Sequence, residues 1–349
     1  MLGLRDQLHK NSSTLVRSHR SLQRITLCHA TGHRTRQATS LATIVGMQIT
    51  VPERFSLLVD RFPGLPIVVQ QPDQPWDERL AGTTFFIPDY MSGRAGVANL
   101  SRMPKVEVVQ ILSAGVDSVK DLIPDGVTLC NAKGVHDAAT AEMAITLTLA
   151  SLRGLGHFRD LQHDRRWDNR SYASLADRRV LLIGYGSIGT AIEARLSGFE
   201  AHITRVARVG RVTPRVFGYD ELDQLIPEAD VIIVIVPLTQ QTRGMVNAHF
   251  LSLMHDGALL VNVARGPVVD TDALVGALAD RRITAALDVT DPEPLPSDSP
   301  LWRLDNCLIT PHVGGDTDAF YPRALELLTR NIERYRRGLP LLNVIKGEY

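Results

Sequence analysis

Three ionisable residues stand at or just beyond the ends of apolar segments in the C-terminal half of the chain. Arg265 closes the segment ALLVNVARG, Glu293 follows AALDV by a few residues, and His312 closes CLITPH. In open parallel α/β sheets, ligands bind beyond the carboxyl ends of the strands, so we expect these side chains at one cleft. Each alone has an ordinary structural explanation, namely a strand-end ion pair, a solvated acid or a buried imidazole. Their shared placement is what indicates a catalytic site.

The three side chains have the properties needed to reduce a 2-keto acid. A guanidinium is always charged and matches the geometry of a carboxylate, so Arg265 is expected to hold the acid group. Histidine is the residue type whose ordinary pKa lies nearest neutral pH, so His312 is expected to give a proton to the carbonyl oxygen. Glu293, if it pairs with His312, would favour the charged ring and orient it. The hydride would come from a nicotinamide cofactor.

A glycine-rich turn accompanies these residues. The segment VLLIGYGSIGTAIEARL places Gly184, Gly186 and Gly189 directly after an apolar strand and at the start of a helix. The first glycine permits the tight turn, the second lets the backbone approach a pyrophosphate, and the third lets the helix pack on the strand. The amides of Ser187 and Ile188 at the helix N-terminus are expected to bind the phosphates. A structural turn is the alternative, but the flanking strand and helix predict dinucleotide binding.

The second strand of this lobe bears on the choice between NAD and NADP. A fold that prefers NAD usually places an acid about 20 residues after the turn, where it binds the ribose 2′-hydroxyl. Ala207 occupies that position, with Arg205 before it and Arg208 and Arg211 after it. Arginine can bond phosphate oxygens in a bidentate way, and a missing carboxylate removes a repulsion. NADP is therefore favoured over NAD, with a solvated basic loop as the alternative explanation.

Short apolar, β-branched segments alternate with helical patterns from residue 66 onward. Their continuous hydrophobicity predicts parallel strands that are buried on both faces. Residues 138–155 predict a long helix between two groups of strands, and residues 317–337 predict a helix that stops at Gly338. The sequence thus predicts an α/β fold with two Rossmann-like or flavodoxin-like lobes and a cofactor and substrate cleft between them. The expected domains are a substrate domain at 47–145 plus 320–349 and a dinucleotide-binding domain at 146–319.

Composition excludes several classes of protein. The 349 residues include 38 Lys and Arg against 38 Asp and Glu, so the basic excess typical of nucleic-acid binding is missing. The longest apolar run, at 231–236, is too short to span a bilayer. The spacing of the cysteines indicates no disulfide framework and no metal site, and fits a reducing cytoplasm. Residues 1–46 hold seven basic residues and one acid, which we interpret as a disordered or untranslated leader, with a targeting segment as the alternative.

From about Met47 onward, the chain resembles the D-isomer-specific 2-hydroxyacid dehydrogenase family, especially its glyoxylate/hydroxypyruvate reductase branch. The matching segments, in chain order, are ILSAGVDSV, HDAATAEMAITLTLASLR, GYGSIG, VPLTQQTRGMVN, LLVNVARGPVVD, ALDVTDPEPLP and LITPHVGG. The resemblance implies an NAD(P)-dependent oxidoreductase in which Arg265, Glu293 and His312 are catalytic. It also implies a homodimer with the helix at 138–155 in the contact.

The resemblance further assigns binding residues. The amides implied to hold the substrate carboxylate are those of Ser113, Ala114 and Gly115. The residues implied to line the cofactor cleft are Pro237, Thr242, Ala264 and Asp288, the last of them facing the nicotinamide carboxamide. A looser match puts Tyr90 and Met91 on a loop near the substrate.

Reduction of small 2-keto acids such as glyoxylate or hydroxypyruvate is the leading hypothesis, and two alternatives stay open. Oxidation of D-3-phosphoglycerate would require further cations near the distal phosphate, for which Arg94 is the candidate. A nucleotide-sensing binding protein, similar to the corepressors of the family, could retain the same three reacting residues. Loss of turnover with retained nucleotide affinity in an Arg265→Ala or His312→Ala variant would favour the enzyme.

Overall fold

A computed structural model of the protein describes residues 46–71, 74 and 76–347. The leader expected at residues 1–46 lies outside this part except for its last position. The described chain forms two parallel β-sheets covered by helices, as the continuous apolar segments predict. None of the helices in the described part is long and apolar enough to cross a membrane.

The first sheet is built from the N-terminal third of the described chain. Its strands are β1 (Ile49–Pro52), β2 (Ile67–Gln70), β3 (Phe85–Phe86), β4 (Val108–Gln110) and β5 (Thr128–Cys130). They are parallel and lie in the order β2-β1-β3-β4-β5. Two short helices, α1 (Leu57–Arg61) and α2 (Gly93–Val97), follow β1 and β3, together with 3₁₀ turns at Glu53–Phe55, Glu78–Gly82, Leu100–Arg102 and Lys120–Leu122. Strand β1 was not expected from the sequence, although all four of its residues are buried.

Two helices stand where one was expected. Helix α3 (Asp137–Leu152) is followed by α4 (Leu155–His163), and Gly154 between them has φ +61°. A Cβ at this glycine would lie 2.2 Å from the ring of Tyr172, so space as well as conformation requires glycine there. The predicted helix at 138–155 is therefore correct at its start and too long at its end.

The second sheet has six parallel strands. These are β6 (Arg179–Ile183), β7 (His202–Val206), β8 (Val231–Val234), β9 (Leu259–Asn262), β10 (Thr284–Leu287) and β11 (Cys307–Ile309). Their order, β11-β10-β9-β8-β6-β7, reverses between β6 and β8, and a ligand is expected at such a switch point. Covering helices are α5 (Ser187–Leu196), α6 (Leu222–Leu225), α7 (Ala248–Leu253) and α8 (Thr271–Ala279), with 3₁₀ turns at Tyr219–Glu221, Ile226–Glu228, Gly266–Val268 and Pro300–Arg303.

The last helix returns to the first sheet. Helix α9 (Phe320–Arg336) lies within the expected range of 317–337 and buries Phe320, Ala324, Leu328 and Ile332, spaced four residues apart, in the core of that sheet. Helix α3 instead packs its buried face with strands of the second sheet. The expected domain boundary after residue 145 falls inside α3, and the division into 47–145 plus 320–349 and 146–319 stays a prediction.

Candidate active site

The carboxyl ends of the two sheets border a cleft of about 1110 Å³. The first sheet contributes loops at 88–93 and 111–119, and the second contributes the segments that follow β6, β8, β9, β10 and β11. The expected site residues that line the cleft are Ser113, Ala114, Gly115, Gly186, Ser187, Ile188, Gly189, Pro237, Ala264, Arg265, Asp288, Glu293 and His312. Those outside the lining are Gly184, Arg208, Arg211 and Thr242. Tyr90 and Met91, from the looser match, also line it.

His312 and Glu293 form the expected pair. The Nδ1 atom of His312 lies 2.9 Å from Oε2 of Glu293, and the other carboxylate oxygen accepts a hydrogen bond of 3.0 Å from the Thr290 amide. Burial by itself would raise the pKa of Glu293, but the hydrogen bonds from His312 and from the Thr290 amide outweigh it and keep that pKa below its ordinary value. The pairing leaves Nε2 of His312 as the ring nitrogen able to exchange a proton with a bound molecule.

Asp288 holds the turn that carries His312. Its carboxylate, 3% exposed, accepts hydrogen bonds from Thr310 Oγ1 at 2.6 Å, Val313 N at 3.1 Å and Gly314 N at 2.8 Å. This arrangement supports the left-handed backbone of His312, which has φ +55°. Sequence reasoning gave Asp288 the nicotinamide carboxamide as its partner and missed these contacts, which depend on the fold of the turn.

Arg265 reaches from the second sheet to the loop of the first. Its Nε lies 3.3 Å from Oδ1 of Asp117, and Nη1 donates to the Ala264 carbonyl at 2.8 Å. A Cβ on Gly115 would be 1.8 Å from Nη2 of Arg265, so a larger residue there would displace the guanidinium from its present position. Sequence reasoning missed Asp117, although this acid stands two residues after the expected carboxylate-binding amides.

The 113–115 loop is fixed to the first sheet through its carbonyl groups. Ser113 O accepts from the Ala132 amide at 2.8 Å, and Ala114 O accepts from the buried side chain of Asn131 at 2.6 Å. The Ser113 hydroxyl closes the turn by donating to Gly115 O at 2.8 Å. The loop therefore has a defined position relative to the guanidinium that lies over it.

The glycine turn after β6 fits a dinucleotide. Gly184 has φ +111°, and a Cβ there would lie 2.2 Å from Ile235 O. A Cβ on Gly189 would lie equally close, 2.2 Å, to Gly184 O, whereas one on Gly186 would meet no atom within 4 Å. The outer glycines thus permit the tight turn, and the middle one presents open backbone to the cleft at the start of α5. The Ser187 hydroxyl donates to Asp137 Oδ1 at 3.2 Å.

Thr242 lies behind the cofactor side of the cleft. It is buried, donates to Pro237 O at 2.6 Å and accepts from the Thr239 amide at 2.8 Å. Its contacts shape the loop on which Pro237 lines the cleft. Within the described residues, no group of three or more His, Cys, Asp or Glu could hold a metal ion.

A charged cluster surrounds Tyr185 beside the end of β7. Arg205 and the Tyr185 hydroxyl both donate to the carboxylate of Glu193, and hydrogen bonding to Arg205 holds the pKa of Glu193 below its ordinary value. The Arg211 guanidinium lies 5.2 Å from the centre of the Tyr185 ring. Arg208 is exposed and makes no ion pair with any residue that the structure describes. Arg205 is thus paired within the protein, while Arg208 and Arg211 are cations close to Ala207 at the end of β7.

The chain is similar to known proteins in sequence. Residues 145–314 match the family model described as D-isomer specific 2-hydroxyacid dehydrogenase, NAD binding domain. A glyoxylate reductase of Thermococcus onnurineus is 33% identical over 263 residues, which cover 71% of this chain and 78% of that protein. A hydroxypyruvate reductase of Blautia hydrogenotrophica is 29% identical over 257 residues, covering 70% of this chain and 80% of the relative.

A solved structure agrees in fold. The D-isomer specific 2-hydroxyacid dehydrogenase of Xanthobacter autotrophicus, in complex with NADPH and MES, superposes with a TM-score of 0.73 and 29% identity, covering 86% of this chain and 98% of that one. The two parallel sheets, the glycine turn and the sequence relatives lead to the same assignment. The chain belongs to the D-isomer-specific 2-hydroxyacid dehydrogenase family and is an oxidoreductase with a nicotinamide-dinucleotide-binding fold.

Proposed function

We propose that this protein reduces small 2-keto acids, glyoxylate and hydroxypyruvate among them, to 2-hydroxy acids. The observation that carries the proposal is the meeting, in one cleft, of the His312–Glu293 pair with Arg265 above the 113–115 loop. Arg265 binds the substrate carboxylate together with the amides of that loop, because both supply positive potential to an anion. The substrate carbonyl is thereby brought towards His312.

Proton transfer falls to His312 in this proposal. Its Nε2 donates to the carbonyl oxygen as negative charge develops there, and Glu293 stabilises the charged ring and keeps its orientation. Asp288 holds the turn so that the imidazole keeps its place in the cleft. A bound nicotinamide cofactor supplies the hydride. The cleft residues therefore bind the acid, orient the carbonyl and hold the proton.

NADPH is the preferred cofactor in this proposal. Ala207 supplies no carboxylate to bind a ribose 2′-hydroxyl, while Arg208 and Arg211 offer two guanidinium groups to a 2′-phosphate. The contact of Arg211 with the Tyr185 ring orients one of them next to the glycine turn.

Oxidation of D-3-phosphoglycerate has less support. Arg94, the expected partner of a distal phosphate, donates hydrogen bonds to the Asp121 carboxylate at 3.0 Å and to Ser118 O at 3.3 Å. It does not line the cleft. Assembly as a homodimer and a cytoplasmic location stay predictions, which sedimentation and cell fractionation would test.

Initial rates with each keto acid and each cofactor test the proposal. We expect turnover of glyoxylate and hydroxypyruvate, faster with NADPH than with NADH. His312→Gln should lower kcat by roughly 10²–10⁴-fold, and Arg265→Ala should mainly raise KM, with nucleotide affinity retained in both. His249→Gln is the matched control, because this exposed histidine pairs with Asp223 outside the cleft.

Several results would contradict the proposal. Full activity of both variants would disprove the assigned roles of Arg265 and His312. Saturable nucleotide binding without any turnover would favour a nucleotide-sensing protein. Clearly faster turnover with NADH than with NADPH would support the reductase activity but contradict the NADP preference inferred from Arg208 and Arg211.

A further inference from the structure

A buried histidine outside the catalytic pair contacts both walls of the cleft. His136 immediately precedes α3, is 6% exposed and makes no side-chain cap to that helix. Its Nε2 lies 2.8 Å from the carbonyl oxygen of Leu112, and its Nδ1 lies 3.2 Å from that of Gly315. Its place before the helix does not account for these two contacts.

The two carbonyl groups belong to the two segments that matter most for the proposed reaction. Leu112 directly precedes the 113–115 loop beneath Arg265, and Gly315 follows the turn that carries His312. One side chain therefore joins the segment expected to hold the substrate carboxylate to the segment expected to deliver the proton.

Both partners of the ring are hydrogen-bond acceptors. A neutral imidazole has one N–H and can donate to one of the two carbonyl groups, while the imidazolium can donate to both. The ring is thus bonded to at least one of the two segments in either state, and it contacts both.

Packing prevents the ring from turning away. His136 stacks on Phe320 and on Tyr90, with ring centres 5.4 and 5.7 Å apart. A Cβ at Gly315 would lie 2.8 Å from Nδ1, so a larger residue there would press on the imidazole ring. The orientation of the imidazole is therefore fixed by aromatic neighbours and by the backbone.

We propose that His136 is a positioning residue that fixes the 113–115 loop relative to the His312 turn. The inference rests on the proposed function, because those two segments are assigned to carboxylate binding and proton transfer there. His136 does not touch the reacting atoms in this proposal. It acts through the two segments that its ring nitrogens contact.

Replacement of His136 by phenylalanine tests the role of the ring nitrogens separately from that of the ring's packing. His136→Phe keeps a flat ring beside the stacked Tyr90 and Phe320 and removes every donor. We expect kcat/KM for glyoxylate to fall by roughly tenfold or more, through a raised KM and a lowered kcat, because small displacements of catalytic groups are costly. Nucleotide affinity should stay within about twofold of wild type, since the glycine turn is not contacted. His136→Gln, which keeps a donor, should recover part of the loss.

A second readout does not depend on turnover. Oxamate, an unreactive 2-keto acid analogue, should raise the Tm of the NADPH-bound protein, and this rise should be smaller in His136→Phe than in His136→Gln or in the control His249→Gln. Wild-type kinetics in His136→Phe would overturn the inference. The inference would also be wrong if this variant lost Tm and nucleotide affinity together while oxamate raised its Tm as much as it raises that of wild type. Absence of wild-type turnover would count against the proposed function, while the oxamate comparison would still decide the role of His136.

Discussion

Arg265 and His312 each commit part of their hydrogen-bonding capacity to the protein. Arg265 uses Nε for Asp117 and Nη1 for the Ala264 carbonyl, and His312 uses Nδ1 for Glu293. Side chains held in this way lose less rotamer freedom when a substrate binds, so more of the binding energy is available for orientation. At the scale of single residues, these neighbours preorganise both side chains for the proposed reaction.

Sequence reasoning could predict that Arg265, Glu293 and His312 lie at one cleft, but not which neighbours they contact there. Arg265, Glu293 and His312 follow recognisable strand ends, so their types and order indicated their shared place. Asp117 and Glu193 became partners of arginines only because separate loops and helices meet in the fold. The spacing of residues along one segment does not predict contacts between distant segments.

Glu293→Gln should change the pH dependence of reduction. The depressed pKa of Glu293 means that its carboxylate stays charged throughout the neutral range, and that its stabilising contact is lost only as the pH falls through that lowered pKa. Without this charge, the imidazolium of His312 is less favoured. The alkaline limb of the kcat/KM profile should therefore move to lower pH by about one unit.

Profiles of wild type and two variants check this expectation. Glu228→Gln serves as the control, because this acid pairs with Arg179 at the opposite end of the strands. An unchanged alkaline limb in Glu293→Gln, or an equal displacement in Glu228→Gln, would show that the His312 contact does not govern the profile.

At the scale of elements, apolar segments such as VLLIG and DVIIVIV predicted the strands of the second sheet correctly. Strand β1 was missed because its short segment ends at Pro52 and lacks a long apolar run, yet it pairs with β2 and β3 in the middle of the first sheet. The break before α4 was missed because Gly154 alone does not reveal the Tyr172 ring that packs against it. Tertiary neighbours decided both cases.

A buried polar network ties α9 to the first sheet. Asn331, which is fully buried, donates to Gln110 Oε1 at 2.6 Å, and its own Oδ1 accepts from the Leu342 amide at 2.8 Å. Gln110 in turn donates to the carbonyl of Ile111 at 2.9 Å, at the start of the 111–119 loop that lines the cleft. The last helix therefore supports the site through one amide side chain.

Asn331→Leu should destabilise the protein because it leaves the buried amide oxygen of Gln110 and the partly buried backbone amide of Leu342 without partners. Each such group costs about 1–3 kcal/mol, so we expect a loss of about 2–5 kcal/mol in the free energy of unfolding by urea titration. Glu326→Gln, on the exposed face of the same helix, should change it by less than about 0.5 kcal/mol. Equal free energies of unfolding for Asn331→Leu and wild type would mean that the network makes no net contribution to stability.

At the scale of the whole molecule, side chains of the described residues link the two sheets across the cleft. Arg265 of the second sheet reaches Asp117 of the first, and His136 touches segments of both. A ligand that binds Arg265 and the 113–115 loop together adds a further link across the cleft. Binding on the two sides should therefore be coupled, and linkage requires that coupling to be reciprocal.

Thermal unfolding can measure this coupling. NADPH at about 100 times its Kd should stabilise the folded protein by about 2.7 kcal/mol and raise Tm by several degrees. Oxamate should raise Tm by more when NADPH is present than when NADPH is absent. Arg265→Lys should keep the NADPH increment and lose most of the oxamate increment, because an ammonium group cannot reproduce the bidentate contact with a carboxylate. If oxamate raised Tm equally in wild type and Arg265→Lys, its carboxylate would have to bind elsewhere. If the rises in Tm caused by NADPH and by oxamate were purely additive, the two sides of the cleft would bind their ligands independently.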